Sequence, residues 1–198
     1  MRLAILVLLL SFCFCPQTVR AAAPPKATIS AELNETALLS GQRAVIAVKI
    51  DVPEGFHAQS HTPLEANLIP LVVSVTSDSN FTADAPIYPA PKIENYPLLG
   101  KVSVYTGQVT VFVPITIANG LRGPVHIEGG VTYQICDDKQ CYIPQRKPLP
   151  FMVDADVQPN RIGEFDDGHK NPAFARFDWN LLKAVPATLM ASSIWPAS

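Results

Sequence analysis

The chain predicts an all-β fold, an antiparallel β-sandwich. Three observations carry this. Apolar and polar residues alternate along short runs such as Thr28-Ile-Ser-Ala-Glu-Leu33, the period-two signature of a strand with one buried face. The runs are rich in Val, Ile and Thr and are bounded by Gly, Pro and Asn turn signals. No segment before residue 170 carries a convincing helical period, and there is no internal repeat.

Taken in order, the second strand is Arg43 to Ile50, entered through the turn Ser40-Gly41-Gln42. An apolar, β-branched run from Leu68 to Val75 is the third. Lys101 to Tyr105 and Gln108 to Ile117 flank Thr106-Gly107 and predict a hairpin. Pro114 lies inside the second of these, so an edge position or a bulge is expected there. Asn119-Gly120 and Arg122-Gly123-Pro124 are turns, after which Val125-His-Ile-Glu leads through Gly129-Gly130 into Val131 to Ile135. Pro148 to Val153 closes the set. Pro86 to Pro97 is too proline-rich for a central strand and reads as an extended loop crossing the sandwich surface. Short strands at this spacing are the pattern of a sandwich.

Both ends differ from this middle. Arg2, the apolar stretch Leu3 to Leu10 and the small-residue site Val19-Arg20-Ala21 predict a signal peptide over 1–21. The apolar stretch is shorter than the roughly 20 residues a membrane-spanning helix needs. Cys13 and Cys15 leave with it. They follow bulky Phe12 and Phe14, where lipoprotein processing wants a small residue. At the other end, 154–198 reads as a polar, turn-rich linker and tail. Phe174 to Met190 is expected to form a short amphipathic helix broken near Pro186, with its packing left open. The sandwich domain is thus placed at 27–153.

Lys and Arg number 15 against 17 Asp and Glu. Loss of Arg2 and Arg20 leaves 13, a mildly acidic chain without the basic face that nucleic acid requires. No nucleotide-binding glycine loop and no G-x-S-x-G elbow occurs, so no cofactor is expected.

The exported chain retains two cysteines, in Val131-Thr-Tyr-Gln-Ile-Cys136-Asp-Asp-Lys-Gln-Cys141-Tyr-Ile-Pro144. An even count in an exported protein suggests pairing. Two functions fit such a pair. As a staple, so short a loop yields only about 2 kcal/mol, whereas a 100-residue loop yields nearly 5. As a redox pair it needs a thiolate and a reachable sulfur; Lys139 favours a thiolate while Asp137 and Asp138 oppose it. A third reading adds His57 and His61 to the thiols as a zinc or copper site. On a straight strand those histidines stand roughly 13 Å apart, too far for one ion without a bend, and no metal is expected.

The cysteine motif resembles that of the N-terminal periplasmic domain of the thiol:disulfide interchange protein DsbD, with the pattern V-T-Y-Q-x-C followed by C-Y-x-P. Phe56-His-Ala-Gln-Ser-His-Thr-Pro-Leu64, Leu68-Ile-Pro70, Tyr88-Pro-Ala-Pro-Lys92 and Gly100-Lys-Val-Ser-Val-Tyr105 are similar too. The resemblance implies an immunoglobulin-like sandwich and an exchangeable Cys136–Cys141 disulfide as the catalytic pair. Cys141 would join the partner and Cys136 would resolve. It also implies a periplasmic location, a membrane electron transporter as donor, and thioredoxin-like proteins or isomerases as acceptors. A cap loop would fall on Tyr96, Leu98 and Leu99, with Leu98 where the family has an aromatic ring. Such proteins continue into a membrane domain and a thioredoxin domain. This chain ends at Ser198 with neither, and so reads as a separate carrier or a fragment. The rival function is a protein-binding sandwich in which the disulfide is only structural.

Overall fold

The computed structural model describes residues 23–34, 38, 40–149, 152–153 and 172–183. The expected signal peptide, Cys13 and Cys15, the linker 154–171 and the tail beyond 183 lie outside them. In chain order the strands are β1 (Thr28–Leu33), β2 (Arg43–Asp51), β3 (His57–Gln59), β4 (Val72–Thr76) and β5 (Phe81–Ala83). Next come β6 (Lys92–Tyr96), β7 (Gly100–Tyr105), β8 (Gln108–Ile117) and β9 (Val125–His126). The last are β10 (Glu128–Tyr133), β11 (Ile135–Cys136), β12 (Gln145–Pro148) and β13 (Met152–Val153). One sheet has the order β1-β2-β8-β5. Two others, β12-β10-β4 and β11-β3-β7-β6, run into one another because only Gln134 separates β10 from β11. Every pairing between named strands is antiparallel. The fold is the immunoglobulin-like antiparallel sandwich the sequence led us to expect.

The core follows from the period of two. Ala44, Ile46, Val48 and Ile50 of β2 and Val109, Val111, Val113, Ile115 and Ile117 of β8 face the interior between the sheets. Tyr133, Val131, Ile127 and Leu71 meet them there. Full burial of each such Val or Ile contributes about 1.5–3 kcal/mol. The intervening positions of β2, Val45 and Ala47, are also buried, in a second cluster with Phe112 of β8. What covers them is the C-terminal segment, whose Phe174 and Phe177 sit on that outer face. Phe112 lies 6.0 Å from Phe174 and 5.1 Å from Phe177 between ring centroids.

That segment corrects one expectation. The amphipathic helix predicted from Phe174 is, within the described residues, a 3-10 turn at Pro172–Phe174 and one α-helical turn, α1 (Asn180–Lys183). Asp178 interrupts it and caps the second turn, its Oδ1 accepting from the Asn180 N–H at 3.0 Å. The apolar residues that contact the sheet, Phe174 and Phe177, come from the 3-10 turn and the stretch that follows it.

Three further expectations are corrected. The predicted hairpin of 101–105 with 108–117 does not form. β7 pairs with β3 and β6, while β8 pairs from Gln108 to Thr116 with β2. Gly107, with φ of 63°, carries the chain from one sheet to the other, and its carbonyl accepts from the Val52 N–H at 3.0 Å. The long match to the buried β2 outcompetes a local turn. The run from Leu68 becomes strand only at Val72, because Leu71 N–H is drawn to the Ser60 carbonyl and Pro70 has none to give. The closing strand is likewise split, into Gln145–Pro148 and Met152–Val153.

One proline reading is sharpened, and the other, a loop over Pro86 to Pro97, is corrected in part. Pro114 sits in an inner strand, but its carbonyl and nitrogen face the end of β5. Asp84 N–H donates to that carbonyl at 2.9 Å, and Ile87 then bridges Phe112. The facing chain advances three residues against two on β8, so the missing N–H falls at a bulge. In the proline-rich stretch, 86–91 crosses between sheets, but Lys92–Tyr96 is strand β6, at the edge of its sheet.

Candidate functional site

Cys136 ends β11, and its partner across the ladder is His57 on β3. The chain turns through 137–140 and returns at Cys141, which bridges Cys136 in antiparallel fashion with Cα atoms 4.0 Å apart. The two sulfurs are joined in a disulfide. They differ in access: Cys136 is fully buried, while Cys141 is partly exposed and the three residues before it are exposed.

The turn between them is organised by Asp137. Its Oδ1 accepts from the backbone N–H groups of Lys139 and Gln140, both at 2.8 Å, and its Oδ2 accepts from the Tyr142 hydroxyl at 2.7 Å. These bonds, the Tyr142 hydroxyl first, hold its carboxyl below the usual carboxylate range. Reciprocally, the carboxylate pushes the Tyr142 hydroxyl up. The Tyr142 ring meets Phe56 edge-on at 6.1 Å. Gln134 ties the other side: its Oε1 accepts from Ile69 N–H and its Nε2 donates to the Tyr142 carbonyl.

Beneath the disulfide the interior is polar. His57, Gln59, Ser60 and Ser103 are all buried. Gln59 Nε2 lies 3.3 Å from Cys136 Sγ and 3.8 Å from Cys141 Sγ. Ser60 and Ser103 share a hydroxyl hydrogen bond of 2.8 Å. The His57 ring stacks on Tyr96 at 4.3 Å. Burial holds the imidazole's pKa below its ordinary value, against the smaller opposing pull of Glu94 and Asp137.

The structure therefore brings Cys136, Cys141, His57 and Tyr96 to one place. His61 goes elsewhere. Its ring stacks on Tyr88 at 4.4 Å and its Nδ1 shares a hydrogen bond with the Tyr105 hydroxyl, whose pKa burial pushes up to about 12. Among the described residues no group of three or more His, Cys, Asp or Glu could hold a metal ion. Of the three cap-loop candidates, Tyr96 is the ring that reaches this end, through His57. Leu99 is partly buried and Leu98 is 72% exposed at the turn between β6 and β7. Sequence reasoning passed over Gln59 and Tyr142. Gln59 had a signal, since it lies two residues from His57 and so on the same face of a strand. Tyr142 is the tyrosine of the C-Y-x-P pattern, but nothing in the sequence announces its hydrogen bond to Asp137 across the turn.

Among the described residues no helix is long and apolar enough to cross a membrane. Comparison with solved structures finds the N-terminal periplasmic domain of ScsB from Proteus mirabilis at 17% identity and a TM-score of 0.45. The match covers 65% of this chain and 46% of that one, so the chain spans about half of that relative's length. The Neisseria meningitidis DsbD N-terminal domain in its reduced form matches at 16% identity and a TM-score of 0.38, over 65% of this chain and 86% of that one. A complex between the DsbD and PilB N-terminal domains of Neisseria meningitidis matches at 16% and 0.40, over 72% and 96%. Comparison with curated protein sequences finds no match. The family model described as thiol:disulfide interchange protein DsbD, N-terminal, matches residues 25–151. With that match over most of the chain, and a disulfide within it, the protein belongs to the DsbD N-terminal domain family.

Proposed function

We propose that this domain is a periplasmic thiol–disulfide exchange carrier, with Cys136 and Cys141 as its catalytic pair. The observation that carries the reading is the asymmetry of the disulfide: one sulfur sealed in the interior, the other partly open beside an exposed turn. Exchange requires a sulfur that a visiting protein can reach, and the asymmetry leaves Cys141 to meet the partner and Cys136 to close the pair.

In the forward direction the pair is reduced. The Cys141 thiolate attacks an oxidised partner's disulfide; a Cys141–partner bond forms, and the partner's second sulfur leaves as a thiolate. The Cys136 thiolate then attacks Cys141 Sγ, closing the pair and releasing the partner's first sulfur. Two electrons pass to the partner, whose thiolates take up two protons. The partners are thioredoxin-like periplasmic proteins, disulfide isomerases or thiol proteins of cytochrome c maturation, and a membrane electron transporter re-reduces the pair. Exposed Leu98 and Ile143, the latter two residues beyond Cys141, offer apolar contact for docking.

A trapping experiment tests this. A Cys136→Ala chain with a free Cys141 should accumulate a covalent, reductant-sensitive adduct with an oxidised thioredoxin-like protein, whereas Cys141→Ala should not. Equal trapping by both variants, or by neither, would sink the proposal and leave a structural disulfide.

A further inference from the structure

One buried side chain that the exchange chemistry leaves unused and that touches both sulfurs is Gln59. It is fully buried on β3, with its Nε2 directed at both sulfurs at 3.3 and 3.8 Å. Its Oε1 is buried too, with no hydrogen-bond partner among the described residues. The amide therefore presents its donor end to the disulfide while its own acceptor goes unsatisfied, an arrangement that costs free energy as it stands. Disulfide sulfurs are weak acceptors. A thiolate is a strong one, and hydrogen bonds to an ionised partner are roughly twice as strong as neutral ones. The contact gains strength only when the bond opens and Cys136 carries charge.

We infer that Gln59 is the positioning donor of the resolving step, holding the Cys136 sulfur as a thiolate in line with Cys141. The inference rests on the exchange reading above. In the mixed disulfide Cys141 is bonded to the partner sulfur. Cys136 Sγ attacks Cys141 Sγ, the intramolecular bond forms, the bond to the partner breaks, and the electron pair leaves on the partner's sulfur, which takes a proton from water. Charge starts on Cys136, so a donor there enlarges the reactive fraction. The other ionisable groups around this sulfur do not serve. His57, opposite on β3, has its pKa lowered by burial, which disfavours the charged form that would best support a thiolate. Tyr96 and Glu94 on β6 are bonded to each other. Asp137, next in the chain, is an acceptor already engaged by Tyr142 and two backbone groups. Asp138 and Lys139 stand in the exposed turn.

The test follows the second, unimolecular release of 5-thio-2-nitrobenzoate after the reduced protein attacks the corresponding aromatic disulfide, from pH 5 to 10. Gln59→Met keeps the length and removes the donor. Thiolate fraction and nucleophilicity move oppositely, with a Brønsted slope near one half. The profiles should therefore cross: a midpoint about one pH unit higher, release about threefold slower at pH 7, and a plateau about threefold faster at high pH. Gln59→Glu should move the midpoint further up. Coincident wild-type and Gln59→Met profiles would overturn the inference, and with a lowered melting temperature would mark Gln59 as a packing residue. If the wild type itself releases no second equivalent, the exchange reading fails, and that result does not depend on any Gln59 variant.

Discussion

Ala44–Val48 of β2 and the whole of β3 are buried without a break, yet they are built from different kinds of residue. Ala44–Val48 is closed on both faces by hydrocarbon: the sandwich core on one side, Phe112, Phe174 and Phe177 on the other. On β3 only Ala58 joins that core; His57 and Gln59 are covered instead by Tyr96 and the disulfide. Buried apolar surface stabilises wherever it lies, so the first region is stability alone. Buried polar groups carry a desolvation cost, and this fold concentrates them under two cysteines. The contrast separates scaffold from site without reference to any relative.

The comparison breaks most visibly at the aromatic cover. Phe174→Ala should cost about 3–5 kcal/mol, the range for removing a buried Phe side chain, read as a lowered urea midpoint of the full chain. Exchange at Cys136 and Cys141 should persist wherever the protein is folded. A loss below 1 kcal/mol would mean that the C-terminal segment does not seal β2. Opening the disulfide should cost less. The loop it closes is so short that chain entropy allows only about 2 kcal/mol, measured as the difference in unfolding free energy with and without reductant. A larger loss would move the pair toward the scaffold side of the comparison.

The scaffold was the more legible region. Thr28–Leu33 and Arg43–Asp51 announce themselves by alternation and β-branched content, because one strand's burial is a local property of its residues. Which strands pair is not local. The turn at Thr106-Gly107 looks like a hairpin, yet β8 leaves β7 for β2. Ala44 to Val48 is an unbroken apolar run, but what covers its outer face lies more than a hundred residues away in Phe174. At the site the cysteines were legible from their motif. Gln59, His57 and Tyr96 meet them only through the β11-β3-β7-β6 sheet, whose order no spacing encodes.

A smaller effect distinguishes the polar region by pH. His57 has a folded-state pKa below its ordinary 6.5, chiefly through burial. Near pH 6 the unfolded chain therefore binds more protons at this position, and stability rises with pH. The contribution is intact above 6.5 and is lost as pH falls from there through the lowered folded value. Urea midpoints at pH 7.5 and 5.5 should differ more for the wild type than for His57→Phe; the other histidines are common to both chains and cancel. Equal differences would mean that His57 is accessible to solvent when folded.

The smallest effect sharpens the boundary between site and solvent. Tyr142 donates to Asp137 at the exposed edge of the disulfide turn, where screening by water keeps such bonds weak. Tyr142→Phe should raise the Asp137 pKa toward its ordinary 3.8, visible in a carboxyl titration by NMR. The sign of the linkage is opposite to that of His57. A carboxyl with a depressed pKa stabilises above 3.8, and its contribution disappears as pH falls through the folded value. The variant should therefore lose a little stability at neutral pH and none in strong acid. The backbone N–H groups of Lys139 and Gln140 still bind the carboxylate, so the turn should keep its shape and the disulfide should still close. If Tyr142→Phe instead prevents the pair from re-forming, the ring and hydroxyl at the solvent edge, and not the buried amide beneath, govern the approach of Cys136 to Cys141.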